Sequence, residues 1–275
     1  MIPKNIRLAI LDMYDDTPNE GMRCIWEILY HYTRQLEWDT FNVRKGELPD
    51  TSYDIYISTG GPGNPMEGDG DWDRRYYMLL DQLWEHNQQR SDRPKFVFFI
   101  CHSFQMACHH FGIGEIKERH SMSFGTFPVH MTAEGEQEPV FEGLSNPFWA
   151  ADFRNYQVVQ PNFEKIAALG AEILALEKIR KHVPYERAIM AVRFSPEFVG
   201  VQFHPEADSR GMLLYFLQDE RRNHIIKHHS RKKYAEMIRD LSDPQKIAKT
   251  NQTILPKFLD QSISILQDCL VPVNA

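Results

Sequence analysis

At 275 residues, with 31 Lys and Arg against 38 Asp and Glu, the chain has a formal net charge of −7. That length allows one large domain or one domain with an appendage, and the acidity argues against general affinity for nucleic acid or an acidic membrane, which need basic surfaces. Cys24, Cys101, Cys108 and Cys269 follow no framework spacing, nothing N-terminal is laid out as a signal peptide, and no apolar run approaches ~20 residues, so reduced thiols in a soluble cytoplasmic protein are expected.

Ile6–Asp12 is a short, mostly apolar run that predicts a strand buried on both faces. After the loop signals Thr17-Pro18-Asn19, the spacing of Met22, Ile25, Trp26 and Leu29 predicts an amphipathic helix. Strands are expected at Thr40–Arg44 and Tyr53–Thr59, the latter running into a glycine loop, and a helix at Trp72–His86. Lys95–Ile100 reads as a strand ending at Cys101, followed by a helix over Ser103–Phe111 that Gly112 closes. From Ser121 to Val159 the pattern changes to short strand-like pieces with turn residues between them, which predicts hairpins. Ile189–Phe194 and Phe198–Phe203 form a strand pair that ends just before His204 and Glu206.

Past Asp208 the pattern is helical, with Asp243-Pro244 as a helix-start signal and an amphipathic stretch over Ile254–Leu266. The expected architecture is α/β: a doubly wound, mainly parallel sheet with flavodoxin-like layering over residues 1–215, and a C-terminal helical extension over 216–275. In such a sheet ligands bind beyond the C-terminal strand ends, where the glycine loop and Cys101 both fall.

A cysteine hydrolase or transferase needs a thiolate, a base, an orienter for the base and N–H donors for the oxyanion. Cys101, at a strand-to-helix corner, fits the nucleophile; His204 fits the base and Glu206 the carboxylate that fixes its tautomer. A thiol with a reference pKa of ~8.5 needs an imidazolium or a helix N-terminus to ionise near neutrality, and Cys101 has both on offer. The neighbouring His102 and the run Cys108-His109-His110 match no usual zinc spacing, and no metal is expected. Asp69, Asp71 and Asp73 alternate as in a calcium loop but lack its glycine and closing glutamate, so they read as a solvated helix start. The basic run Arg221-Arg222, Lys227-His228-His229 and Arg231-Lys232-Lys233 reads as a solvated helix face.

Three segments, Gly60-Gly61-Pro62-Gly63-Asn64-Pro65, Ile100-Cys101 with Gln105, and Gly200-Val201-Gln202-Phe203-His204-Pro205-Glu206, resemble in order and spacing a class I glutamine amidotransferase domain of the triad type, most like stand-alone GMP-synthase-like members. The resemblance covers residues 1 to about 215. It implies that Cys101 attacks the side-chain amide of L-glutamine to give a γ-glutamyl thioester and ammonia, without a cofactor. It also implies oxyanion donors at the backbone N–H groups of Gly61 and His102, and substrate contacts at Gly60, Gln105 and Asn155. The family normally has glycine two residues before and after the nucleophile; this chain has Phe99 and Ser103 there, so Phe99 must turn away from the corner, widen it or wall the pocket.

No phosphate-binding glycine-lysine loop occurs in the chain, so a synthetase that takes the ammonia would be a separate subunit. Two other readings use the same residues: a γ-glutamyl hydrolase acting alone on γ-glutamyl amides or peptides, and a binding or regulatory subunit whose nucleophile corner Phe99 has spoiled.

Overall fold

The computed structural model describes residues 6–17, 19–89, 92–179 and 186–269. Pro18 of the expected first loop and residues 270–275 of the expected extension lie outside them. The described strands are β1 Ile6–Asp12, β2 Leu36–Asn42, β3 Ile55–Ser58, β4 Phe96–Ile100, β5 Glu115–Met131, β6 Phe148–Val159, β7 Glu172–Glu177, β8 Ile189–Arg193 and β9 Phe198–Val201. The helices are α1 Gly21–Tyr30, α2 Trp72–Gln88, α3 His102–His110, α4 Ala133–Gln137, α5 Phe163–Leu169, α6 Ser209–Leu217, α7 Asp219–His228, α8 Arg231–Ser242, α9 Ile247–Asn251 and α10 Ile254–Asp268.

All strands join one sheet in the order β2-β1-β3-β4-β9-β8-β6-β5-β7. The first five run parallel, whereas every pairing among β5 to β8, and that of β8 with β9, is antiparallel. The expected mainly parallel sheet is therefore corrected to a mixed one. β7 pairs with both β5 and β8, so β8, β6, β5 and β7 curl back on one another. The pieces read as short hairpin strands are two long strands. Ser121, Gly125 and Pro128 look like turn residues, yet β5 runs through them because β6 supplies its hydrogen bonds, with a bulge between Glu118 and Ser123 absorbing the irregularity.

Helices cover both faces of the parallel half. On one face Ile10, Ile57, Phe98 and Ile100 pack with Ile25 and Leu29 of α1 and with Leu255, Phe258 and Leu259 of α10. On the other, Leu11, Tyr56, Val97 and Phe99 pack with Tyr76 and Leu80 of α2 and Phe104 of α3. Successive residues of β4 thus point into opposite layers, as a strand buried on both faces requires. Trp26, expected on the buried side of α1, is exposed.

The C-terminal helices divide between two tasks. α10 is a full member of the core: Phe258 meets the ring of Phe98 at 5.0 Å, and Tyr32 donates to Asp260 at 2.9 Å. α6, α7 and α8 form a smaller cluster around Phe216, Ile225, Met237 and Leu241, lying against Phe124, Trp149 and Phe153 of the antiparallel half. Asp243 does not start a helix; its carboxylate accepts the Gln245 N–H in a turn after α8. The basic run is not one solvated face, because Lys233 lies over the Phe127 ring at 3.9 Å and His229 stacks on Phe124 at 4.6 Å.

Candidate active site

At the end of β4 the chain reverses at Cys101 with φ 49° and ψ −96°, a conformation that a side chain adopts only when its surroundings hold it there. The Cys101 N–H donates to the Val201 carbonyl of β9 at 2.9 Å, and the Cys101 carbonyl accepts from Gln105 N–H at 3.1 Å. Ser103 braces the corner. Its buried hydroxyl accepts the Ile100 N–H at 3.0 Å and donates to the Ser58 carbonyl at 2.6 Å, which fastens the nucleophile turn to the end of β3.

Phe99 neither widens the corner nor walls the pocket. It turns into the layer beneath α2 and α3, with ring centroids 5.7 Å from Phe194 and 6.0 Å from Phe198. Its parallel partner on β9 is Gly200, where an added β-carbon would lie 2.9 Å from both the Phe99 β-carbon and the Phe104 ring. The missing side chain of Gly200 makes room for Phe99 and Phe104 between β9 and its neighbours.

β9 ends at Val201, and His204 is fixed just beyond it by an antiparallel bridge to Ala151 of β6, its N–H donating to the Ala151 carbonyl at 2.9 Å. The His204 Nδ1–H donates to Glu206 Oε1 at 2.8 Å, and the imidazole and Cys101 line the same cavity, near enough for their charges to interact. Burial opposes a charge on His204, but the negative charges of Glu206 and Cys101 outweigh it, so the imidazole holds its proton well above its ordinary pKa. Glu206 is itself buried, and Asn251 at the end of α9 clamps its carbonyl at 2.8 Å.

The glycine loop reaches the same point. Thr59 accepts the Met13 N–H at 2.9 Å and donates to the Gly60 carbonyl at 2.8 Å, holding the loop against the chain that follows β1. There the approach is too close for any side chain: a β-carbon at Gly61 would meet the Met13 carbonyl oxygen at 2.6 Å, and one at Gly60 would meet His204 Cε1 at 2.9 Å. Arg44, in the short helical turn after β2, donates to the Pro62 carbonyl at 2.6 Å and to His102 Nε2 at 3.0 Å. One guanidinium therefore ties the residue after Gly61 to the residue after Cys101. Because arginine only donates, the His102 proton sits on Nδ1. Burial first and the Arg44 charge second lower the His102 pKa to about 3, so the ring is neutral.

Cys101, His204, Glu206 and Gly61 line one cavity of about 660 Å³. Of the other expected site residues, Gln105 lies behind this cavity. Its Nε2 donates to the Tyr156 carbonyl at 2.9 Å and to Gln202 Oε1 at 3.0 Å, while Gln202 Nε2 lies 3.9 Å from the Cys101 sulfur. Asn155 is exposed on β6 and does not line the cavity. The buried side chain beside it is Arg154, which donates to both oxygens of Asp152 at 3.0 Å. Cys108 is packed in the core, Cys269 is exposed, and Asp69 accepts the Trp72 N–H at the start of α2.

The sequence does not single out Arg44, Tyr14 or Gln202. Tyr14 lines the cavity beside Cys101, and burial followed by the Glu206 and Cys101 charges pushes its phenol well above the ordinary value. Gln202 sits inside the histidine motif without a role of its own. Arg44 carries no signal, since only the fold brings the end of β2 to the two catalytic loops. A strained cysteine sharing a cavity with a carboxylate-oriented imidazole, beside a glycine loop, can carry out acyl transfer through a thioester.

Solved structures with the same fold include a glutamine amidotransferase from Thermotoga maritima, with a TM-score of 0.67 and 14% identity over 94% of this chain and 98% of that one. A glutamine amidotransferase from Methylobacillus flagellatus gives a TM-score of 0.62 and 14% identity over 98% of this chain and 96% of that one. A putative GMP synthase subunit from Thermoplasma acidophilum gives 0.51 and 14% identity over 96% and 95%. At such identities the likeness is one of fold. No curated protein matches the sequence significantly. The model of the glutamine amidotransferase class-I family matches residues 9–222. The chain belongs to the class-I glutamine amidotransferase family.

Proposed function

We propose that the chain is a cysteine-dependent glutaminase that hydrolyses the side-chain amide of L-glutamine and supplies ammonia to a separate synthetase subunit. The observation that carries this reading is that Cys101, held in its strained turn, opens into one cavity with an imidazole bonded to Glu206 at 2.8 Å. The Cys101 thiolate attacks the amide carbon, the oxyanion takes N–H bonds from Gly61 and His102, and His204 gives its proton to the departing ammonia. Water then attacks the γ-glutamyl thioester, His204 takes its proton back, and glutamate leaves. No cofactor enters these steps.

GMP synthesis is the proposed destination of the ammonia, supported by the motif resemblance and by the fold shared with the Thermoplasma acidophilum protein. The catalytic unit is assigned to residues 1–215, with the extension over 216–275 serving as roof and prop. The purified chain is expected to release glutamate from glutamine, and Cys101→Ala to lower that rate by about 10³-fold or more with unchanged circular dichroism. A Cys101→Ala variant as active as the parent contradicts the mechanism.

A second reading, hydrolysis of γ-glutamyl amides or peptides without a synthetase, is favoured by one observation. The cavity over Cys101, about 660 Å³, has room beyond one bound glutamine.

A further inference from the structure

We infer that the leaving-group side of this site accepts an apolar amino acid, so that the chain cleaves γ-glutamyl dipeptides whose second residue is aromatic or large aliphatic. The inference rests on the γ-glutamyl thioester chemistry at Cys101 and goes beyond it by naming the amine.

The cavity of about 660 Å³ falls within the roughly 300–1,000 Å³ range of sites that enclose ligands of many atoms. Glutamine, whose leaving group is ammonia, places nothing beyond its amide nitrogen. One part of the cavity wall is built from Met122, Phe124, Phe153, Met212, Tyr215 and Phe216, with the Phe153 ring centred 6.3 Å from that of His204. These come from β5, β6 and α6, which meet only because the helical cluster folds over the antiparallel half. Set directly against these apolar side chains, the ammonium and carboxylate of the glutamyl end would lose hydration. An apolar side chain gains there instead.

One charge completes the match. Two arginines line the cavity. Arg23 is bound to Glu20, Glu27 and Asp208. Arg221 of α7 makes no ion pair among the described residues and lies over the Tyr215 ring, 4.8 Å from its centroid. An exposed cation held on the aromatic rim of an apolar chamber fits the free carboxylate of a bound dipeptide.

The reaction balances without further reagents. The Cys101 sulfur bonds to the γ-carbonyl carbon as the carbon–nitrogen bond breaks, and His204 protonates the departing amine, which leaves as the free amino acid. Water hydrolyses the thioester to glutamate and restores the thiolate with its imidazolium.

The test compares γ-glutamyl-phenylalanine, γ-glutamyl-phenylalaninamide, γ-glutamyl-glycine and glutamine as substrates of the full chain, reading kcat/KM from glutamate release. The expected order places γ-glutamyl-phenylalanine about tenfold or more above γ-glutamyl-glycine and glutamine, because apolar fit of this size is worth about 10–200-fold. It should also exceed its carboxamide about tenfold, and Arg221→Ala should bring that acid-to-amide ratio close to one. If Cys101 takes up a glutamine-analogue electrophile and glutamine is hydrolysed, yet phenylalanine gives no advantage over glycine, the apolar site is refuted while the thioester reading stands. If no substrate is cleaved and Cys101 stays unlabelled, both fall.

Discussion

The two halves of the sheet do different work. In the parallel half, β4 is buried on both faces, and the corner at Cys101 is held by hydrogen bonds to β9 and, through Ser103, to β3. The antiparallel half packs through Phe124, Trp149 and Phe153 against the smaller cluster of α6 to α8 and leaves an open, mostly apolar cavity between them. Cys101 and His204 lie on the seam: Cys101 ends a parallel strand, while His204 is bridged to β6. A rigid layer thus supplies the reacting group, and a looser one shapes the space around it.

Removing a large side chain should cost more on the parallel side of that seam. Phe99→Ala is expected to lose about 3–5 kcal/mol in urea unfolding, since Phe99 is fully buried among Phe104, Phe194 and Phe198. Phe216→Ala, in the small cluster at the cavity edge, should lose less, at or below the lower end of that range. Equal losses would abolish the distinction between a rigid layer and a loose one.

Arg44→Met should lower kcat for glutamine by about 10- to 100-fold with a smaller change in KM. The guanidinium holds the Pro62 carbonyl and the His102 ring, next to the N–H groups of Gly61 and His102 proposed as oxyanion donors, and alignment of such donors matters most in the transition state. A rise in KM at constant kcat would instead make Arg44 a ground-state binding residue.

The smallest effect concerns pH. His102 has a folded pKa near 3, below the unfolded value of about 6.5, so its contribution to stability is complete above about pH 6.5. As pH falls towards 3, the unfolded chain binds a proton that the fold refuses, and stability drops by about 1.4 kcal/mol per pH unit. His204 has the opposite sign: its contribution is complete below about pH 6.5 and is lost only as pH rises through its raised folded value. Urea midpoints between pH 7.5 and 5 should therefore fall less steeply in His102→Asn than in the parent, and parallel slopes would remove His102 from the account.

Of the parallel half, β1, β3 and β4 are legible as short apolar runs, β3 and β4 closed by the glycine loop and the nucleophile corner, whereas β2, Leu36–Asn42, is polar and half-exposed and only partly overlaps the expected Thr40–Arg44. Ile6–Asp12 is found with its bounds intact, and the strand ending before Cys101 to within one residue. The antiparallel half is less legible. Glu115–His120 are mostly exposed and polar, so β5 carries no burial pattern at its start, and β7 and α5 between the catalytic motifs raise no signal. In the site, Cys101, His204 and Glu206 declare themselves by motif, whereas Asn155 belongs to a segment whose register the sequence does not fix. The apolar wall is invisible in sequence because Met122, Phe153 and Phe216 are far apart in the chain and meet only in the fold.

The central claim is that Cys101 is the nucleophile for a γ-glutamyl carbonyl. Its most direct test is to incubate the full chain with 6-diazo-5-oxo-L-norleucine and map the adduct by peptide mass spectrometry. The account predicts one adduct per chain, on Cys101, blocked by prior glutamine. The Cys24 thiol, pushed up to about 12 by burial and then by the Glu206 charge, should stay unmodified although it lines the same cavity. An unmodified Cys101, or an adduct on Cys24 in its place, would contradict the account.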